Sequence, residues 1–421
     1  MHKLSLIITL FICLISKTVT ASFILIPMDA DTQTNHLKAY GVTYLSLQKK
    51  YKVQWLLNYR GGSFLLEDVK FLRDACTLRG VSYEIISNQK ATSILQKIKS
   101  PSQNMDAVLL EKAPKIAVYS PKEKKPWDDA VTMALTYAEI PYTVVYDEDI
   151  LNDALVKFEW LHLHHEDFTG QYGKFYGAYR TAPWYIKEKA TAEALAKKLG
   201  YKKVSQEKLA VAKRIKEFVI SGGFMFAMCS ATDSFDIALS AEGVDICEPM
   251  FDGDPSTPNY QSKIDFSKTF AFTNFKLERN PLVYEYSSID MTRKRHIPKT
   301  DDYFTLKNFS AKWDQVPTML CQNHTQLIKG FMGQTTSFDE KTIKPTVLIM
   351  GENKIDHEAR YIYGTVGKGM FTFYGGHDPE DYEHRVGDPK TVLALHPNSP
   401  GYRLILNNVL FPAARKKKQK T

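Results

Sequence analysis

The stretch GGFMFAMCSATDSFD, residues 222–236, sets one cysteine between a short apolar run and a segment rich in hydroxyls and acids. A glycine pair, five apolar residues and then Cys229 read as a strand that runs straight into a helix. Cys229 is then either a nucleophile held on a strand-to-helix turn or a small buried thiol, the commonest fate of cysteine. The residues before it, QEKLAVAKRIKEFVIS, form a lysine-rich helix closed by Gly222 and Gly223. Earlier still, PKIAVYSP (114–121) and YTVVYD read as strands around the helix DDAVTMALTYAEI, opened by Asp128 and Asp129. KFEWLHLHHED continues the series as another strand. After the cysteine, residues 240–345 are irregular and β-rich, an insertion full of turn residues. KPTVLIMG, ARYIYGTVGKG and MFTFYGGHDPEDY return to strands, and SPGYRLILNNVLF closes the chain as a helix with a Ser-Pro start.

Working toward the N-terminus, SFILIPMD, KVQWLLNY and VSYEII read as strands. Between them NHLKAYGVTYLSLQKKY and SFLLEDVKFLRDACTLRG read as helices. This β-α-β-α-β order predicts a small α/β unit over residues 22–112 with parallel strands. The larger α/β domain is expected over 113–412, followed by a basic tail, 413–421. The very start, MHKLSLIITLFICLISKTVTAS, has the layout of a secretory signal peptide: Lys3, an apolar core from Leu4 to Ile15, and the small residues Val19 and Ala21 before a cut. It is too short for a membrane span of about 20 residues. The mature chain is expected to begin at Ser22, in the periplasm or outside the cell, with no membrane span after processing.

Composition excludes little but settles one matter. The net charge of +8 resides mostly in Lys3, Lys17 and the tail residues Arg415, Lys416, Lys417, Lys418 and Lys420. The folded body is close to neutral, so no nucleic-acid surface is expected. Cys76, Cys229, Cys247 and Cys321 remain after processing. Cys76 keeps helical register with Leu65, Val69 and Leu72, and a chain this long needs no staples, so free buried thiols are expected.

Three stretches resemble the class I glutamine amidotransferase-like superfamily. EFVISGGFMFAMCSA is similar to its helix, glycine pair, strand and nucleophile turn. GKGMFTFYGGHDPE is similar to its later strand and His-Pro-Glu segment, and SPGYRLILNNVLF to its terminal helix. The resemblance covers roughly 114–412 and implies an α/β fold with a flavodoxin-like, mostly parallel sheet. It departs at Ala227 and Ala231, where the family has glycines, and at His377-Asp378-Pro379-Glu380, which carries one extra residue before the proline. Exported look-alikes of this kind carry the label asparagine synthetase B. The residues do not support that activity: Ser221-Gly222-Gly223 continues into Phe224-Met225-Phe226 rather than into an ATP loop.

The resemblance implies Cys229 as nucleophile and His377 as proton carrier, with Glu380 or Asp378 orienting the imidazole. Both Cys229 and His377 follow strands at their carboxyl ends, where ligands gather in doubly wound sheets. In EWLHLHHEDF, strand alternation puts His162 and His164 on one face. The residues at the strand's exit, His164, His165, Glu166 and Asp167, together with Ser230, are the expected substrate and oxyanion wall. The same His-x-His plus carboxylate pattern suits zinc, with His377 and Asp378 completing a ligand set; the spacing matches no zinc signature, and no metal or other cofactor is expected. The aromatic loop QYGKFYGAYRTAPWY (171–185) is read as a lid, a packed loop or a protomer contact. Asp233 and Asp236 are read as helix caps. Two functions are left open: a cysteine-dependent hydrolase of a small-molecule or peptide-like amide, and a non-catalytic module that binds a ligand or partner.

Overall fold

The computed structural model describes residues 22–121, 127–312 and 318–414. The signal-peptide and basic-tail segments lie outside the described residues, apart from positions 413 and 414. The N-terminal unit contains β1 (Ser22–Ile26), β2 (Val53–Leu57), β3 (Ser63–Glu67), β4 (Glu84–Ser87) and β5 (Asp106–Leu110). They form one sheet in the order β4-β1-β3-β2-β5, and every pairing in it is antiparallel. This overturns the parallel β-α-β reading. SFLLE is a strand rather than the start of a helix, because the chain reverses at NYRGG. Asn58, Arg60, Gly61 and Gly62 all have left-handed φ, from +44° to +88°, and a tight hairpin can only join antiparallel neighbours. The helix begins later, at Lys70–Leu78.

The second sheet holds β6 (Ile116–Tyr119), β7 (Thr143–Val145), β8 (Trp160–Leu163), β9 (Phe224–Met228), β10 (Tyr303–Leu306), β11 (Leu327–Lys329), β12 (Phe338–Asp339), β13 (Leu348–Asn353), β14 (Glu358–Val366) and β15 (Gly369–Tyr374). Its order is β11-β10-β13-β14-β15-β9-β8-β6-β7, with β12 on β14. Only β7, β6, β8, β9 and β15 run parallel to one another. The remaining pairings are antiparallel. The flavodoxin-like, mostly parallel sheet is therefore corrected to a mixed ten-stranded sheet beside a wholly antiparallel five-stranded one. The physical reason is again local: β14 and β15 are joined by two residues, Gly367 with φ +60° and Lys368. β10 and β11, which lie inside the 240–345 insertion, extend the antiparallel edge.

The two sheets share one hydrophobic core, which runs from Ile24 and Trp55 in the first to Val118 and Phe226 in the second. The helices His36–Gln48 and Pro400–Leu410 pack against each other at this seam. Gly41 permits close approach of the first helix to the end of the helix Ala130–Tyr137: a Cβ there would lie 1.8 Å from the carbonyl oxygen of Ala138. Arg403, fully buried, ties the seam by donating to Met28 O at 3.2 Å, to Tyr40 Oη at 3.1 Å and to Gly61 O. Cys76, Cys229, Cys247 and Cys321 are free and buried. No helix among the described residues is long and apolar enough to cross a membrane.

Candidate active site around Cys229 and a histidine cluster

β9 ends at Met228, and the helix Ala231–Ser240 begins two residues on. Cys229 turns the chain between them with φ +51°, a conformation that costs a non-glycine residue roughly 1–2 kcal/mol. The surroundings hold it there. Cys229 N–H donates to Tyr374 O at 3.3 Å, Thr232 N–H donates back to Cys229 O at 3.1 Å, and Ala231 N–H donates to His164 O at 2.8 Å. The thiol sulfur accepts the Gln334 backbone N–H at 3.3 Å. Ala227 and Ala231 are wholly buried, so the turn is built without the flanking glycines of the resembling family.

Cys229 lines a cavity of about 490 Å³ whose wall also includes His165, His377 and His384. Its apolar side comes from Trp127, Phe175 and Tyr179 among others. Phe175 lies on Trp127 with ring centroids 5.3 Å apart, so part of the aromatic 171–185 loop is packed as cavity wall. Cys229 is 2% exposed and His377 6%. No hydrogen bond joins the thiol to His377 among the described residues.

His377 follows β15 through Gly375 and Gly376, and its N–H donates to Met332 O at 2.9 Å. The carboxylate that faces its ring is Asp128, with Nε2 to Oδ1 at 3.6 Å. Glu380 is turned to His396, 3.1 Å away, and Asp378 accepts the Glu380 backbone N–H at 2.9 Å. His384 approaches Asp128 through Nε2 at 3.1 Å and is held from behind by Asp381, 2.8 Å from Nδ1. His377 is sandwiched between imidazoles, 4.5 Å from His164 and 4.4 Å from His384 by ring centroids. His162 and His164 both reach Asp129, at 3.2 and 3.4 Å.

Burial pushes the Asp129 carboxyl toward the neutral form, but His162 and His164 outweigh it and hold its pKa well below the usual range. Asp128 shows the same balance more weakly: burial raises it, and contact with His377 and the charges of His384 and His164 bring it below. Asp233 behaves oppositely. Burial, then the Asp290 charge, raise it well above the usual carboxylate value. It accepts the Thr335 hydroxyl at 2.9 Å, and the raised pKa opposes a negative charge at this position. Asp236 accepts the amides of Phe270, Ala271 and Phe272 at 2.7 to 2.9 Å and thereby anchors the insertion rather than capping its helix.

The expected pocket wall divides. His165 lines the cavity and His164 lies behind it against His377. Glu166 and Asp167 instead border a separate cavity of about 140 Å³ with Tyr146 and Lys208. Asp167 is further committed to the amides of Thr169 and Gly173, at 2.7 and 3.1 Å. Ser230 is fully buried. Asp128, Asp129, His384 and Gln334 were not foreseen as site residues. The two aspartates carry a helix-cap signal, and Asp129 does accept Thr132 N–H at 2.8 Å. His384 and Gln334 carry no local signal at all. The residues able to hold a metal ion fall in overlapping groups that include Asp128-His377-His384 and His164-His165-His377, with donor atoms within 4.8 Å of one another.

No protein-family model matches the chain, and no curated protein does. Among solved structures it is similar to the cytoplasmic protein STM3548 of Salmonella typhimurium at 9% identity and TM-score 0.33, over 72% of this chain and 100% of the other. Similarity to the cytoplasmic protein STM1381 of Salmonella typhimurium LT2 is 11% identity and TM-score 0.35, with the same coverage. A catalytic mutant of Gan42B, a GH42 beta-galactosidase from G. stearothermophilus, matches at 10% identity and TM-score 0.25, over 62% of this chain and 27% of the other. Similarities this low assign the chain to no family.

Proposed function

We propose that this chain hydrolyses an amide or peptide-like C–N bond with Cys229 as nucleophile. The observation that carries the reading is Cys229 itself, held at φ +51° where a strand meets a helix and opening on a cavity that His377 also lines. The helix N-terminus behind the sulfur and the Gln334 amide in front of it both put positive partial charge beside Cys229. In the reaction the sulfur attacks the substrate carbonyl carbon while His377 takes the thiol proton. The C–N bond then breaks, the proton passes to the departing nitrogen, and an acyl thioester remains. Water adds to the thioester, the acid leaves, and the thiol recovers its proton. Asp128 orients His377. In this reading the amide of Ser230, the residue after the nucleophile, donates to the oxyanion; that of Ala231 is spent on His164 O. The aromatic wall suits a substrate with a flat or apolar portion. The three stretches similar to class I glutamine amidotransferases support the same assignment of Cys229 and His377. We propose further that the protein is exported, which mass spectrometry of the mature N-terminus tests: a start at or near Ser22 supports it, an intact Met1 opposes it.

The test of the enzyme reading is alkylation. Burial pushes the thiols of Cys76 and Cys321 up to about 12, and that of Cys247 well above its usual value. Cys229 is expected to react with iodoacetamide faster than these three, and His377→Ala to slow it. Fast labelling indifferent to His377 would mark a thiol that is merely accessible. That outcome favours the second reading, a ligand-binding module, for which the absence of a Cys229–His377 hydrogen bond speaks.

A further inference from the structure

We propose that Asp128, His377 and His384, backed by His164, bind one divalent transition-metal ion of the zinc class. The inference does not rest on the thiol reading. Zinc takes imidazole nitrogen and carboxylate oxygen at about 2.0–2.2 Å in tetrahedral sites, which places neighbouring donors about 3.3 Å apart. Asp128 Oδ1 lies 3.1 Å from His384 Nε2 and 3.6 Å from His377 Nε2, on either side of that spacing.

The second observation is a concentration of buried polar atoms without hydrogen-bond partners. Both carboxylate oxygens of Asp128, Nε2 of His377, Nε2 of His384 and both ring nitrogens of His164 make no hydrogen bond of good geometry, although Asp128 lies 3.1 Å from His384 and His164 3.4 Å from Asp129. Buried polar groups in folded proteins are nearly always satisfied, and a cluster of exceptions points to an ion or ligand. Of these groups His377 and His384 line the cavity beside Cys229, and Asp128 and His164 pack against His377 from behind.

The support behind the donors is also that of a metal site. Asp381 fixes Nδ1 of His384 at 2.8 Å, which presents Nε2 inward. A carboxylate behind a ligating histidine is the usual outer shell of zinc. Three protein donors with a cavity alongside leave one coordination position open, the arrangement of reactive rather than structural zinc sites. The stacked rings must move on loading. His377 and His384 lie face to face with planes 12° apart, and their lone pairs converge on one ion only after a ring turns about Cβ–Cγ. A metal held by His377 Nε2 displaces the Asp128 contact that orients the ring and draws electron density from the imidazole, so the loaded protein is expected to alkylate slowly at Cys229.

The test uses the full chain, stripped with EDTA, desalted, and titrated with Co²⁺ and then Zn²⁺. The expected result is about one equivalent of metal per chain, a visible tetrahedral cobalt spectrum, and displacement of cobalt by zinc. Asp128→Asn and His384→Ala are expected to abolish the spectrum. Asp381→Asn, altering a partly exposed outer carboxyl, is expected to weaken binding about 10–100-fold with the fold unchanged by circular dichroism. Cys229→Ala is expected to bind metal normally. Retention below about a tenth of an equivalent overturns the proposal, as does uptake undiminished by Asp128→Asn and His384→Ala together. An inert Cys229 in a protein that binds metal this way leaves the metal centre standing and removes the thiol reading; a reactive, His377-dependent thiol in a protein that binds none does the reverse.

Discussion

Two buried charged clusters in this molecule, one built on arginines and the other on histidines, differ in how completely their polar atoms are hydrogen-bonded. Around Arg360, Nη2 reaches both oxygens of Asp302 at 2.9 and 3.0 Å, Nη1 donates to Phe331 O and Thr336 O at 2.7 and 3.0 Å, and Nε faces Glu358 at 3.2 Å. Arg295 closes the set with contacts of 2.6 Å to Asp302 and 2.9 Å to Glu358. Around Asp128 the carboxylate–imidazole contacts run from 3.1 to 3.6 Å, the rings stack, and several polar atoms make no well-aligned hydrogen bond, against Arg295 Nη2 alone in the first cluster. The first cluster pins the insertion to β14 through Asp302 and Arg295. The second opens on the cavity above Cys229. Saturated polar chemistry holds a fold together, whereas unsaturated polar chemistry beside a cavity is held ready for something else.

The sharpest way to break this contrast is to remove one partner from each. Arg360→Ala leaves Asp302 and Glu358 buried without their main counter-charge and is expected to cost about 3–5 kcal/mol in urea unfolding. A loss under about 1 kcal/mol would mean that the cluster does not hold the insertion.

A second pair of stacked histidines serves as a control for those at the cavity. His36 and His324 lie 4.7 Å apart at the seam between the sheets, beside Arg403. Burial, then the Arg403 charge, lower His36 to about 3 and His324 to about 4. Both fall below the unfolded value, so the unfolded chain takes up protons first as pH drops. Their contribution is complete above about pH 6.5 and is lost as pH falls toward those values. Stability is expected to decline by up to about 5 kcal/mol between pH 7 and 4.5, and His36→Gln to remove about half of that decline. An unchanged pH profile in a variant carrying both His36→Gln and His324→Gln would place the acid sensitivity elsewhere.

The turn at Cys229 gives a smaller effect. Cys229→Gly is expected to be more stable than Cys229→Ala by up to about 1 kcal/mol, since glycine alone adopts φ +51° without strain. Equal stabilities would show an unstrained turn. Smallest of all, Asp128→Asn in metal-free protein is expected to shift stability by less than about 1 kcal/mol, because the carboxylate it replaces is poorly satisfied. A loss as large as that of Arg360→Ala would make the histidine cluster structural after all.

What could be read from the chain was local. β9, the turn at Cys229, the start of its helix and the strand that delivers His377 all follow from apolar runs and glycine pairs a few residues long. Strand direction did not follow. The pair Gly61-Gly62 marks a turn, yet whether the next segment is a helix or the return arm of a hairpin depends on what SFLLE packs against, here β1 and β2. The same ambiguity hid the antiparallel extension of the second sheet.

At the candidate site, the sequence by itself determined which residue sits on the turn and that a histidine segment follows a neighbouring strand, because hydrogen-bonded geometry at a strand end is set within a few residues. Only the tertiary structure decided the partner of that histidine. Asp128 opens a helix more than two hundred positions earlier, and His384 lies in a segment without periodicity. They meet because β6 and β15 belong to the same parallel half of one sheet, whose carboxyl ends bring remote loops to a single edge. Spacing along the chain carries no record of that meeting. It is fixed by the order of strands, which burial of the two sheets against one core selects.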